Sequence, residues 1–130
     1  MLAIPTSFHG DAIEWTQTVG LPPWWLPIAA AVARRDLTND IGRTAEGIHR
    51  ARFAAGYEVV RIEAAWWSPT GEDRGRLEGI TQAALSTIAD RGIRIAAAAQ
   101  VQLRRELTTP HDARVEIRIV LDTVTPAHAH

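Results

Sequence analysis

Hydrophobic and polar residues alternate most clearly over the second half of the chain. Between residues 57 and 67, Val60, Ile62, Ala64 and Trp66 fall on one side. Tyr57, Val59, Arg61, Glu63, Ala65 and Trp67 fall on the other. A period of two is that of a strand. The first side is wholly apolar and is the predicted core face. Ser68, Pro69, Thr70 and Gly71 end the strand. The period then changes: Leu77, Ile80, Ala84 and Ile88 make one helical stripe, with Leu85 at its edge. Thr70 is the predicted N-cap, and Glu72 and Asp73 suit the positive end of the helix dipole. Arg91 and Gly92 supply the C-terminal charge and stop.

Two more alternating runs follow. Ile93, Ile95, Ala97, Ala99, Val101, Leu103 and Leu107 alternate with Arg94, Gln100, Gln102, Arg104 and Glu106. The four alanines at 96–99 favour helix by propensity, but the alternation favours strand. Val115, Ile117, Ile119 and Leu121 alternate with Arg114, Glu116, Arg118 and Asp122. Setting Leu107 opposite Ala113 brings Glu106 to Arg114, Arg104 to Glu116, Leu103 to Ile117 and Val101 to Ile119. Each such pair contributes about 0.2–1 kcal/mol. The pattern therefore predicts a long antiparallel hairpin with a projecting tip.

The first half is less regular. Pro5, Gly10, Gly20, Pro22 and Pro23 punctuate residues 1–23, which read as an arm. A short strand over 12–19 would put Ile13, Trp15 and Val19 on one face. A helix is predicted from Pro27 through 28–37, with Ile28, Ala31, Val32 and Arg35 along one side. Thr38, Asn39 and Asp40 read as a break and a new N-cap. A second helix then carries Ile41, Thr44, Ala45, Ile48 and Arg52, weakened by Gly42 and Gly47 and stopped at Gly56. Residues 126–130 read as a frayed tail. The whole is a single α+β domain: an arm and two helices, then a β-α-β-β core with a C-terminal hairpin.

Composition narrows the chemistry. With 130 residues, 46% of them hydrophobic, the chain can bury a core of its own. A net charge of -1 argues against a general nucleic-acid or membrane-surface binder. There is no cysteine, hence no disulfide, thiolate nucleophile or cysteine-ligated metal. All 14 basic residues are arginine, which removes lysine Schiff-base chemistry and the lysine-containing phosphate loop. The N-terminus lacks the basic flank and long apolar core of a signal peptide, and no apolar run reaches membrane-spanning length, so a cytoplasm-like compartment is expected.

No constellation assembles a reaction. Glu46 and His49 form E-x-x-H on a predicted helix, half of a di-metal motif whose second copy is missing. His128 and His130 lie in the tail. His111 and Asp112 could act as a base and its orienter, but no nucleophile stands beside them, and with Pro110 they suit a turn. His9 has no evident partner. No catalytic residue, cofactor or metal is assigned. Five tryptophans are the unusual feature, and tryptophan is enriched at interface hot spots. Trp24, Trp25 and Trp67 are therefore interface candidates, together with Arg104, Glu106, His111 and Arg114 near the predicted hairpin tip.

The stretch W-S-P-T-G-E-D-R, the helix R-L-E-G-I-T-Q-A-A-L-S-T-I and the two long strands with a short polar loop resemble the core of bacteriophage tail-terminator (tail-completion) proteins. The resemblance spans residues 57–125. It implies a non-enzymatic ring subunit, a homo-oligomer of the hexamer type, found in the virion and in the host cytoplasm during assembly. Its partners would be other virion proteins that join the tail tube to the neck. The alternative is a small α+β enzyme or ligand-binding module. Its pocket would lie between helices and sheet, with Tyr57, Arg61, Glu63 and His49 as polar groups.

Overall fold

The computed structural model describes residues 6–9, 12–22, 26–52 and 56–123. Their order is β1 (Thr6–His9), β2 (Ala12–Gly20), α1 (Leu26–Arg52), β3 (Tyr57–Ser68), α2 (Arg76–Asp90), β4 (Arg94–Leu107) and β5 (Arg114–Thr123). The strands form one five-stranded sheet in the order β1-β2-β5-β3-β4. β3 and β4 are parallel, and every other neighbouring pair is antiparallel. An α+β class is what the alternation and the helical stripe predict, and it is what the chain adopts.

Both helices lie on one face of the sheet. The core joins Ile13 and Trp15 of β2, Val59, Ile62, Ala64 and Trp66 of β3, and Val115, Ile117, Ile119 and Leu121 of β5. Ala33, Leu37, Ile41 and Ala45 of α1 and Leu77, Ile80, Ala84 and Ile88 of α2 complete it. The α2 stripe is the one predicted. The described part of the arm belongs to the sheet: β2 pairs with β5 over eight residues, and Ile13 and Trp15 are buried as the strand pattern requires. Residues 1–5, 10, 11 and 23 of that arm, residues 24 and 25 after it, and the tail at 126–130 lie outside the described residues.

Four expectations are corrected. The C-terminal hairpin does not form. β4 and β5 flank β3 on opposite sides, so Arg104 and Glu116 are separated by Ala65, which is in register with both. A parallel β3-α2-β4 unit needs a crossover helix, and α2 supplies it. The loop after β4 then crosses the end of β3, where the Thr108 N–H donates to the Ser68 carbonyl at 3.0 Å.

The two predicted N-terminal helices are one. Leu37 and Ile41, on either side of the expected break, are both fully buried. Between them the Thr38 hydroxyl donates to the Arg35 carbonyl, and Asp40 pairs with Arg43. Burial on both sides of Thr38–Asn39–Asp40 outweighs the local turn preference. The buried stripe of the first half is Ala29, Ala30, Ala33 and Leu37; Ile28 of the predicted stripe is 49% exposed.

β3 carries a bulge at Val60. Val59 pairs with Leu121 and Arg61 with Val120, so one residue of β3 is extra. Alternation therefore shifts by one. Val59 joins Ile62, Ala64 and Trp66 in the core, Val60 does not, and Tyr57 packs on the helix side rather than beside Arg61.

The α2 cap is also different. The helix begins after Gly75, a left-handed residue with φ 76°, and its N–H groups are met by Asp73. One Asp73 carboxylate oxygen accepts from the Leu77 N–H at 2.8 Å and the other from the Gly75 N–H at 3.2 Å. Thr70 accepts from the Glu72 N–H inside the preceding turn instead.

Candidate interaction surface

Two parts of the sheet have no helix over them. One is the face opposite the core. The other is the β4 edge: among the described residues β4 pairs with β3 alone and stands last in the sheet.

On the open face the strands set charged residues side by side. Arg118 pairs with Glu14 across β5 and β2. Arg61 pairs with Glu63 at 3.3 Å, Arg104 with Glu106 at 3.2 Å, and Arg114 with Glu116 at 2.6 Å. The hairpin register predicted Arg104–Glu116 and Glu106–Arg114. With β3 between the two strands, each arginine turns instead to the carboxylate two residues along its own strand. Such residues share a strand face. A shallow cavity of about 630 Å³ lies over the small Ala65, lined by Thr16, Glu63, Gln102, Arg104, Glu116 and Arg118.

Trp67 stands at one end of this face. Arg114 lies over its ring at 4.5 Å from the centroid and Arg104 at 5.8 Å, both within cation–π range. Three of the sequence-chosen interface candidates, Trp67, Arg104 and Arg114, are thus in one cluster, and Glu106 joins it through Arg104. His111 sits exposed in the turn Pro110–Asp112. Trp24 and Trp25 lie outside the described residues.

The β4 edge is clamped from the helix side at one point. Arg105 donates from Nε to Asp73 at 2.8 Å, and from a terminal nitrogen to Asp73 at 3.1 Å and to Glu78 at 2.8 Å. Burial of the Asp73 carboxyl opposes its ionisation. The hydrogen bonds from Arg105, Leu77 and Gly75, with the Arg105 charge, outweigh that and hold it below the usual carboxylate range. Hydrogen bonding to Asp73 in turn raises Arg105. One carboxylate thus caps α2 and ties β4 to it. A short acidic turn before a helix signalled the cap in the sequence; the arginine 32 residues later gave no sign of its role.

Outside that clamp β4 mixes exposed and part-buried residues. Val101 is 47% and Leu107 69% exposed, while Leu103 packs against the core. β4 also leaves register at its start: Ile95 pairs with Val59 but Gln100 with Arg61, so the four alanines at 96–99 stand against the single residue Val60 of β3, three more than a regular ladder holds. From Gln100 to Leu107 the pairing is continuous.

The alternative pocket residues are not brought together. Arg61 and Glu63 are on the open face, and Tyr57 is on the helix side. His49 lies on α1 with its ring against Gly92. Glu46 pairs with Arg50 and Arg91. Among the described residues, no three or more histidine and acidic side chains gather as a metal site, and no helix is long and apolar enough to cross a membrane.

No protein-family model and no curated protein matches the chain. Solved structures with some likeness include thiamine monophosphate kinase from Aquifex aeolicus, with a TM-score of 0.48 and 8% identity over 94% of this chain and 37% of that one. The OmpA-like domain of FopA1 from Francisella tularensis gives 0.43 and 9% identity, covering 94% of this chain and 83% of that one. A 2C-methyl-D-erythritol 2,4-cyclodiphosphate synthase from Plasmodium vivax gives 0.40 and 12%, covering 65% and 57%. The chain spans little more than a third of the kinase. At these identities and scores the likeness assigns neither family nor activity.

Proposed function

We propose that the chain is a non-enzymatic assembly subunit that takes on another chain along the edge of β4. The observation that carries this reading is the edge itself. It is 14 residues long and contains no proline. Over its regular part it presents Val101 and Leu107 to solvent. Long open edges template pairing with another strand, and proteins that stay single shorten, cover, bulge or charge them. The bulge of β4 ends before Gln100, and Arg104, Arg105 and Glu106 are engaged in ion pairs within the chain. The other edge of this sheet, β1, has four residues. A partner strand on β4 would satisfy its outward backbone groups and cover both exposed side chains.

A tail-terminator or neck ring subunit is the particular assembly that the sequence resemblance implies. Its projecting hairpin is absent, so support for assembly rests on β4 and on the Trp67 cluster beside it. The ligand-site reading has the cavity over Ala65. Its charged lining is already engaged in ion pairs within the chain, which leaves few groups to recognise a small molecule.

Light scattering on the purified chain over a wide concentration range tests the proposal. An oligomer that falls to monomer when Val101 and Leu107 are both replaced by lysine supports it. A monomer at every concentration, or an oligomer indifferent to these substitutions, counts against it.

A further inference from the structure

We infer that the strand received by β4 is β4 of a second copy, antiparallel and centred on Leu103. This rests on the assembly reading above and names its partner. Residues directly opposite in an antiparallel pair share a face. A two-fold axis through the sheet leaves each face in place, so the axis must pass a residue rather than a gap between two. The regular part of β4 runs from Gln100 to Leu107, and centres near its middle give the longest ladder.

Charge decides among them. Centring on Arg104 or on Arg105 sets that arginine against itself, and like charges directly opposite are destabilising. Centring on Gln102 avoids this but pushes the ends of the ladder into the irregular alanines at 96–99. Centring on Leu103 keeps seven successive residues in the regular stretch and sets no like charges directly opposite; Arg104 is diagonal to the partner's Arg104, each paired with Glu106 of its own strand. Leu103 meets the partner's Leu103. On the open face Gln102 meets the partner's Arg104, and Gln100 meets the partner's Glu106. On the helix side Val101 lies opposite the partner's Arg105, with the partner's Leu103 and Leu107 as diagonal neighbours. The Arg105 guanidinium is held by Asp73 and Glu78, so its charge is engaged within its own chain and the aliphatic stem is the part left for Val101. Both exposed apolar side chains of the edge are then close to apolar groups.

Such a contact uses one patch on both copies and closes at two. A larger ring would need a second surface.

The chain contains no cysteine, so single cysteines report geometry without background. Gln102→Cys and Arg104→Cys lie at exposed positions and face one another across the axis. Mixed together under mild oxidation, the two variants should cross-link several-fold faster than either does alone. A scan with one cysteine at each position from 100 to 106 should peak at 103 and fall on both sides. A peak elsewhere overturns the register while the assembly reading stands. No cross-link in a chain that light scattering shows to be dimeric overturns β4 as the contact. A monomer at all concentrations overturns both. Circular dichroism on each variant separates loss of contact from loss of fold.

Discussion

β4 and β5 are written in nearly the same pattern and end in opposite environments. In β5, Val115, Ile117, Ile119 and Leu121 are fully buried, and the strand is paired on both sides. In β4, Val101 and Leu107 are among the most exposed large apolar residues described, and one side is unpaired. Alternation therefore tells that a segment is a strand and which residues share a face. It does not tell where in the sheet the strand lies. The strand order decides that: β5 lies between β2 and β3, whereas β4 follows β3 at the end of the sheet, where Ile95 and Leu103 still pack against the core but no further strand among the described residues covers its outer side.

The largest effect that should separate the two strands comes from truncation. Ile119→Ala in β5 is expected to cost about 2–5 kcal/mol of unfolding free energy, read by denaturant titration. Val101→Ala in β4, which the hairpin register would have placed against Ile119, should change it by no more than about 0.5 kcal/mol when measured on dilute monomer. Equal costs would mean that β4 is covered in the folded chain itself.

The clamp that holds β4 to α2 comes next. Asp73→Asn keeps the shape but loses the ion pair and part of the cap, and should cost about 1–3 kcal/mol at neutral pH. The Asp73 carboxyl is held below its ordinary value. Its contribution is therefore complete above the ordinary aspartate pKa of about 3.9 and is lost as pH falls through the lower folded value. The gap between the wild type and Asp73→Asn should close at acid pH; a gap that is constant with pH would remove the clamp from the account.

An effect of similar size tests the entry to β4. Gly92 has φ 89°, and a Cβ there would stand 3.0 Å from the His49 ring. Gly92→Ala should cost about 1–3 kcal/mol by the same titration. The smallest effect is on the open face, where the ion pairs are solvated: Glu63→Gln should shift stability by less than about 1 kcal/mol.

Much of the fold was legible because burial and pattern agree. The stripe of α2, the inward face of β5 and the strand at Ile13 and Trp15 all follow from periodicity. What escaped depends on residues far apart in sequence. The hairpin register satisfied every charge and apolar pair, yet the chain places β3 between the two strands, and the same four charged residues pair along their own strands. The bulge at Val60 leaves no mark in an apolar run such as Val59–Val60, because either valine could face the core. Thr38, Asn39 and Asp40 look like a helix break until Leu37 and Ile41 are seen buried on either side. Of the interaction surface, Trp67, Arg104, Glu106 and Arg114 were recognisable as candidates. They come together because β4 and β5 both flank β3, not because they sit at a hairpin tip. The bare edge of β4 could not be read from residues alone, since edge position belongs to the topology.

Amide hydrogen exchange along β4, followed as protein concentration is raised, tests the central claim most directly. The account predicts that outward-facing amides from residues 100 to 106 exchange fast at low concentration and gain protection as copies pair, while those of β5 are protected throughout. Unchanged fast exchange in β4 at concentrations where the chain is oligomeric would contradict it.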